Sequence, residues 1–244
     1  MRVVREVDTA AGDMCHLSFC VPVGWDHEVD PLDFECAHFL EHMIACMCSE
    51  AFPNVDDNQR VMHGTGAKSN AATSPSWTRY FVTFTKKHLE AIVPLFAHGC
   101  LKPMLPDGKV FENEREAVLR EIRMRASKNI MTAVEEAYAR NVVVDTRDAF
   151  ALRTWKARIR SVRLMTCARL KSFYDRHYNP CKAVLVIAGG DAATVESMAS
   201  HFDTNQIVSA GFPSGPPFEF SPLRCLVGDR CRLTLVQHIS SFTN

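Results

Sequence analysis

The sequence has little that points to a membrane, to secretion or to nucleic acid. Its longest apolar runs, such as residues 183–188, have only the length of a strand, which argues against a transmembrane helix. The first eight residues contain two acids and no apolar segment, so neither a secretory signal nor an acid-poor transit peptide is indicated. Basic and acidic residues number 28 each, and the formal net charge of +0 creates no bulk field that would attract nucleic acid or an anionic membrane.

Cysteine is present, but not in a disulfide or redox pattern. Ten cysteines are spread over 244 residues, with no CxxC motif and no recognisable nucleophile motif around any of them. We therefore expect reduced thiols in an intracellular protein, cytoplasmic or mitochondrial, and we disfavour a thiol redox enzyme or a cysteine hydrolase. Cys46 and Cys48 form a CxC pair that could bind a metal. Because no second pair lies nearby in the sequence, the simpler interpretation is that they are two thiols at a helix end without a metal.

Hydrophobic periodicity predicts a mixed order of strands and helices. Alternating apolar residues predict four strands, over residues 16–23, 78–85, 183–188 and 231–237. Apolar residues at helical spacing predict five helices, over residues 34–48, 88–98, 110–127, 131–142 and 166–174. Asp33 is the expected N-cap of the first helix and Gly99 the expected stop of the second. Because strands and helices alternate irregularly, the expected class is α+β, with an antiparallel-rich sheet packed against helices.

The clearest chemistry lies in the segment His38-Phe39-Leu40-Glu41-His42. Residues four apart share one face of a helix, so both imidazoles can face one ion. Glu41 follows His38 by three residues on that face, where it can act as a general base without being a ligand. Zinc peptidase chemistry needs imidazole ligands, an open position and a base for the attacking water. The alternative is a histidine pair on a solvated face, but the apolar neighbours indicate a largely buried helix.

Two histidines leave a metal site incomplete, so a third ligand is expected. Candidates lie in the acidic segment 112–121, where Glu114 and Glu121 are two helical turns apart on one face. Glu121 as a ligand, with Glu114 behind it, would supply both a ligand and a supporting carboxylate. From the residues alone, however, a solvated helix face is the preferred interpretation of either glutamate.

The order of several motifs resembles the pitrilysin and insulin-degrading metallopeptidase family, which includes the mitochondrial processing peptidases. The motifs that carry the resemblance are HxxEH at 38–42, the small-residue segment 66–73, Thr78-Arg79-Tyr80, and Glu114-xx-Ala117-Val118-xx-Glu121. Residues 173–180 followed by 184–189 look like the helix, turn and strand that open the family's second subdomain. The resemblance covers most of residues 14–200.

The family assigns roles to individual residues of this sequence. The resemblance implies one zinc ion per chain, with the ligands His38, His42 and Glu121. Glu41 falls on the general base, and Glu114 on the family's auxiliary acidic position. Asn70 and Ala71 fall on an edge strand that, in the family, pairs with an extended substrate through main-chain hydrogen bonds. A plain polar loop is the alternative for that segment.

The resemblance also implies a processing-peptidase-like metallohydrolase fold, with a zinc-binding peptidase subdomain at 1–145 and a second, incomplete subdomain at 146–244. The implied activity is that of a zinc metalloendopeptidase, or its catalytic half, which hydrolyses extended or unfolded polypeptides through a zinc-activated water. Family members act as two homologous halves around a chamber, so a second half or partner subunit is expected beside a chain that ends at Asn244. The alternative is a non-catalytic scaffold or peptide-binding subunit: the intact Glu41 favours the enzyme, and the short length favours the alternative.

Overall fold

The computed structural model describes residues 1–7, 11–128, 134 and 153–202, all of which belong to the compact unit Met1–Ser214. The predicted strand 231–237 lies outside the described residues, as does the predicted helix 131–142 apart from Val134. Within the described part of the chain, no helix is long and apolar enough to cross a membrane.

In the described residues, a five-stranded mixed sheet forms the centre of this unit. Its strands are β1 Arg2–Val7, β2 Met14–Val21, β3 Lys68–Thr73, β4 Thr78–Thr85 and β5 Val184–Gly189. They are ordered β1-β5-β2-β4-β3, with one parallel pair (β1 and β5) and three antiparallel pairs. The predicted α+β class with an antiparallel-rich sheet is therefore confirmed. The sheet has two edges, and β3 occupies one of them.

Seven helices accompany the sheet in the described residues. They are α1 Cys36–Ala45, α2 Val55–Gly64, α3 Leu89–Leu101, α4 Gly108–Lys128, α5 Trp155–Leu164, α6 Cys167–His177 and α7 Ala192–Ser200. The sheet strands bury alternate side chains, such as Leu17 and Phe19 on β2 and Tyr80 and Val82 on β4. Helices α1 and α3 pack on β4, α7 packs on β5 and β1, and α4 contacts α1. This packing places α1 between the sheet edge and α4.

The start of α1 differs from the prediction that Asp33 is its N-cap. The helix begins at Cys36, and the N-cap is Glu35, whose backbone has a φ of 72° and whose side chain makes no capping hydrogen bond. The free backbone N–H groups of Glu35 and Ala37 instead donate to the buried carboxylate of Glu28, each at 2.9 Å. A carboxylate at this position also interacts favourably with the positive end of the helix dipole. The cap therefore comes from Glu28, seven residues before Glu35, a spacing that local capping rules do not include.

The prediction that Gly99 ends its helix is also wrong, because α3 continues through Leu101. A Cβ atom at Gly99 would lie 2.9 Å from the Cα atom of Met47 and 2.8 Å from its Sδ atom. Glycine is therefore needed here for the close approach of the loop after α1, and not for a helix terminus.

Several elements were not predicted, namely β1, α2, α5 and α7. Strand β3 contains Asn70 and Ala71, for which the family resemblance implied an edge strand and a polar loop was the alternative. Strand β5, which lies beyond the predicted subdomain boundary near residue 145, pairs with β1 and β2. One sheet thus contains strands from both sides of that position. The boundary itself stays a prediction.

Candidate metal centre

Helix α1 presents His38 and His42 on one face, and α4 brings Glu121 against them. The two imidazole rings meet edge to face, with centroids 5.0 Å apart. One Glu121 oxygen lies 3.4 Å from Nε2 of His38, and its other oxygen lies 3.4 Å from Nε2 of His42. The structure thus brings together the three residues that the sequence predicted as ligands, although they come from helices far apart in the chain.

The spacing of these atoms fits a zinc ion. With metal–ligand bonds of about 2.0–2.1 Å, two ligands of a tetrahedral zinc lie roughly 3.3–3.4 Å apart. The three residues offer ligand atoms that all lie within 4.8 Å of one another. Two imidazoles and one carboxylate, with a fourth position left open, are the ligand set of a catalytic rather than a structural zinc site. The residues present therefore fit the metal that the sequence implied.

Each histidine is held through its other ring nitrogen. Nδ1 of His38 lies 2.8 Å from a Glu35 oxygen, and Nδ1 of His42 lies 3.0 Å from a Glu114 oxygen. Such carboxylate partners fix the imidazole so that Nε2 is available to a metal. Glu114 thus contacts His42, one of the predicted ligands, whereas the sequence predicted a position behind Glu121. Glu35 was not predicted, although its i,i+3 spacing from His38 was a signal that could have revealed it.

Without a metal, the three groups interact as an acid–base cluster. The hydrogen bond from His38 is the main cause that lowers the pKa of Glu121 to about 2, against the opposing effect of burial. Burial by itself lowers the pKa of His38, but hydrogen bonds to Glu121 and Glu35 outweigh it and raise that pKa to about 9. Bound zinc would replace the imidazole proton between these residues, because a metal ligand must be the neutral ring.

Glu41 lies beside the three-residue group and faces β3. Its Oε2 atom accepts a hydrogen bond of 2.6 Å from the Thr73 hydroxyl. Thr73 is the last residue of β3, and its Oγ1 atom lies 3.4 Å from the hydroxyl of Thr78 on the neighbouring strand. The carboxylate is thus tied to the sheet edge rather than to the histidines, an arrangement that suits a base better than a ligand.

A cleft of about 300 Å³ opens in front of these groups. The residues that line it come from α1, α4, β3, α5 and the segment after β2: Trp25, Glu35, His38, Glu41, Asn70, Ala71, Ala72, Thr73, Glu121, Arg125 and Arg158. The predicted substrate residues Asn70 and Ala71 lie on β3, which pairs with β4 on one side and has no neighbouring strand on the other among the residues that the structure describes. A strand edge therefore borders the candidate metal centre.

The CxC pair makes no contribution to this group. Cys46 and Cys48 are buried free thiols, and their sulfurs donate to backbone carbonyls of His42, of Cys46 itself and of Pro53. Burial is the main cause that raises the pKa of both thiols, so neither is readily a thiolate ligand. The interpretation of two thiols packed at a helix end agrees with these contacts.

Comparison with known proteins adds independent findings. A family model described as insulinase (peptidase family M16) matches residues 3–149. An uncharacterized zinc protease from Mycobacterium leprae is 30% identical over 183 residues, which cover 74% of this chain and 39% of that protein. Subunit 1 of the mitochondrial cytochrome b-c1 complex from Mus musculus is 25% identical over 198 residues, covering 78% of this chain and 38% of that protein.

The fold is also similar to that of a solved structure. The crystal structure of pitrilysin superposes with a TM-score of 0.65 at 22% identity, over 84% of this chain and 22% of the pitrilysin chain. This chain therefore spans about two fifths of the length of the curated relatives above, and a smaller share of pitrilysin.

Proposed function

Because the chain belongs to the insulinase family, peptidase family M16, we propose that it is the zinc-binding half of a metalloendopeptidase. The observation that carries this proposal is the approach of both Glu121 oxygens to Nε2 of His38 and Nε2 of His42, each at 3.4 Å. His38, His42 and Glu121 are the proposed ligands of one zinc ion. The zinc protease among the relatives supports the metal and the reaction class.

The chain's own residues would carry the remaining chemistry. When bound, zinc supplies Lewis acidity, which polarises a peptide carbonyl and makes water acidic at neutral pH. Glu41 takes the proton from the attacking water and later delivers it to the leaving amine. The Thr73 hydroxyl donates a hydrogen bond to the Oε2 atom of Glu41, so we assign Oε1 as the oxygen that accepts the proton from water. Glu114 and Glu35 keep the Nδ1 atoms of the histidines occupied, which directs both Nε2 atoms toward the metal.

The substrate is proposed to be an extended or unfolded polypeptide that adds to the edge of β3. An extended chain pairs with an exposed strand through main-chain hydrogen bonds, which supply affinity for peptides of different sequence. The small side chains of Ala71 and Ala72 leave the backbone of the strand accessible at the cleft. A peptide paired along Asn70 and Ala71 would pass next to Glu41, because Thr73 of the same strand contacts that residue.

A second homologous half or partner subunit is proposed to close the cleft over the substrate, since this chain covers only part of its relatives. A non-catalytic scaffold or peptide-binding subunit is the second candidate. The observation that favours it is the mouse relative, which is named as a subunit of the cytochrome b-c1 complex. The two candidates differ in one measurable property, the hydrolysis of a peptide bond.

The test is Glu41→Gln, assayed with a fluorogenic unstructured peptide in the presence of a second homologous half. Loss of the base should lower kcat by about 10²–10⁴-fold. Zinc content and circular dichroism should not change, because Glu41 is not a ligand. Glu116→Gln, an exposed glutamate on α4, is the matched control for charge. Cleavage by Glu41→Gln at the parent rate would remove Glu41 from the mechanism, whereas a zinc-loaded parent that cleaves no peptide would favour the scaffold.

A further inference from the structure

The unusual residue near the metal centre is Glu35. Its side chain is buried, with only 1% of the residue exposed, and its backbone has a φ of 72°, a region that favours glycine. A buried carboxylate on a strained backbone needs partners and a reason for its retention.

The two oxygens of Glu35 have different partners. Oε1 accepts hydrogen bonds from Nη2 of Arg153 at 2.8 Å and from Nε of Arg158 at 2.6 Å. Oε2 lies 2.8 Å from Nδ1 of His38. Arg153 also donates to Glu28, the carboxylate that caps α1. The carboxylate of Glu35 is thus anchored by two guanidinium groups on one side and directed at a proposed zinc ligand on the other.

Support of the helix start does not account for this arrangement. The backbone N–H groups at the beginning of α1 already donate to Glu28, and the side chain of Glu35 makes no capping hydrogen bond. Glycine would adopt the same backbone conformation with less strain. What glutamate adds at this position is its carboxylate, and that carboxylate contacts His38.

We propose that Glu35 is a positioning residue for the metal ligand His38, and that the hydrogen bonds from Arg153 and Arg158 to Glu35 contribute to metal affinity. The inference rests on the proposed zinc site. The carboxylate holds the proton of the ring at Nδ1, directs Nε2 toward the metal and makes the ring a better electron donor. All three proposed ligands lie before residue 122, yet the anchor of one of them lies beyond residue 152.

The experiment measures zinc affinity of the full chain by competition with a chromophoric chelator, together with the visible spectrum of the cobalt-substituted protein. Glu35→Gly removes the carboxylate and suits the backbone conformation, while Glu35→Gln keeps an oxygen for Nδ1 but removes the charge. Arg158→Gln weakens the anchor at a less buried position, with 23% of that side chain exposed. Glu90→Gln, an exposed residue of α3, is the control with the same change of charge.

Glu35→Gly should weaken zinc binding by about 10–100-fold and shift the cobalt bands, with a smaller loss for Glu35→Gln. Arg158→Gln should lose affinity by several-fold, since Arg153 remains, and Glu90→Gln should match the parent. A structural role alone would lower thermal stability and leave zinc affinity and the cobalt spectrum unchanged, and that result would overturn the inference.

Folding failure of the Glu35 variants would not hide the answer. Arg158→Gln then decides, and parental zinc affinity in that variant would overturn the proposal. A parent chain that binds no zinc would instead refute the proposed metal centre itself. The two failures are therefore distinguishable, because only the second is visible before any residue is changed.

Discussion

Removal of the carboxylate charge at Glu121 is the most direct test of how the metal centre is built. Both Glu121 oxygens face an imidazole Nε2 at 3.4 Å, and Oε2 also accepts a hydrogen bond of 2.9 Å from Arg125. These contacts hold the carboxylate in place before any metal arrives. Glu121→Gln keeps the shape of the side chain and a neutral oxygen, but it removes the anionic ligand.

The expected loss can be worked from the ligand set. Structural zinc sites with four ligands bind with about 10–16 kcal/mol, which is roughly 2.5–4 kcal/mol per ligand. Because the glutamine oxygen remains as a weak ligand, we expect the lower end of that range, about 2.5–3 kcal/mol or a loss of roughly 100-fold in affinity. Glu121→Asp keeps the charge but draws the oxygens back by about 1.5 Å, the length of one carbon–carbon bond, and should give an intermediate loss.

Competition with a chelator of known affinity, followed by metal analysis of the desalted protein, measures both variants against the parent. Glu116→Gln is the matched control, because it lies exposed on the same helix and changes the charge equally. Zinc affinity of Glu121→Gln within about threefold of the parent would refute the assignment of the third ligand.

Three further outcomes follow from particular contacts. Thr73→Val should lower kcat about tenfold or more with little change in KM, because a hydrogen bond to an ionised group contributes about 1.5–3 kcal/mol. Thr73→Ser keeps the hydroxyl and should restore kcat. Equal rates for the two variants would show that Thr73 does not act through Glu41. Gly99→Ala should lower the free energy of unfolding by about 1–2 kcal/mol in urea titrations, because overpacking against the backbone of Met47 outweighs the gain in helix propensity; a more stable variant would contradict this reasoning. The isolated chain should bind zinc but cleave peptides poorly, and it should gain activity when a second homologous half is added. Brisk turnover by the isolated chain would show that no second half is required.

The parts of the fold that periodicity predicted are those with a strong one-sided apolar pattern. Strands β2 and β4 alternate cleanly, and their buried positions form the core under α1 and α3. Helix α2 was missed because it buries only Asn58 and Met62, so its apolar stripe is too short to detect. Strand β1 was missed for a similar reason: it lies at the sheet edge with most of its residues exposed, and exposed residues carry little hydrophobic pattern.

The candidate site likewise contains residues that the local sequence pattern predicts and residues that it does not. The helix period alone predicts that His38, Glu41 and His42 lie on the same face of α1, because residues three and four apart are neighbours on a helix surface. Glu121 needed the resemblance to a family, because the local pattern of α4 does not encode which glutamate faces another helix. Thr73 lies in a stretch without a clear alternation, and only the packing of β3 against α1 brings its hydroxyl to Glu41.

The contacts of Glu35 show why some residues that support the site could not be predicted from the sequence. A buried carboxylate must be paired, so the burial of this glutamate would have required a cationic partner somewhere in the chain. The sequence offers 28 lysines and arginines for that role, and nothing local distinguishes among them. The fold selects Arg153 and Arg158, which lie 118 and 123 residues away along the chain. If this anchor acts on His38 as we propose, then mutation of Arg153 or Arg158, neither of which is a proposed metal ligand, will change zinc affinity. Such an effect cannot be read from the ligand motif, because the motif states which atoms bind the metal but not what holds them in place.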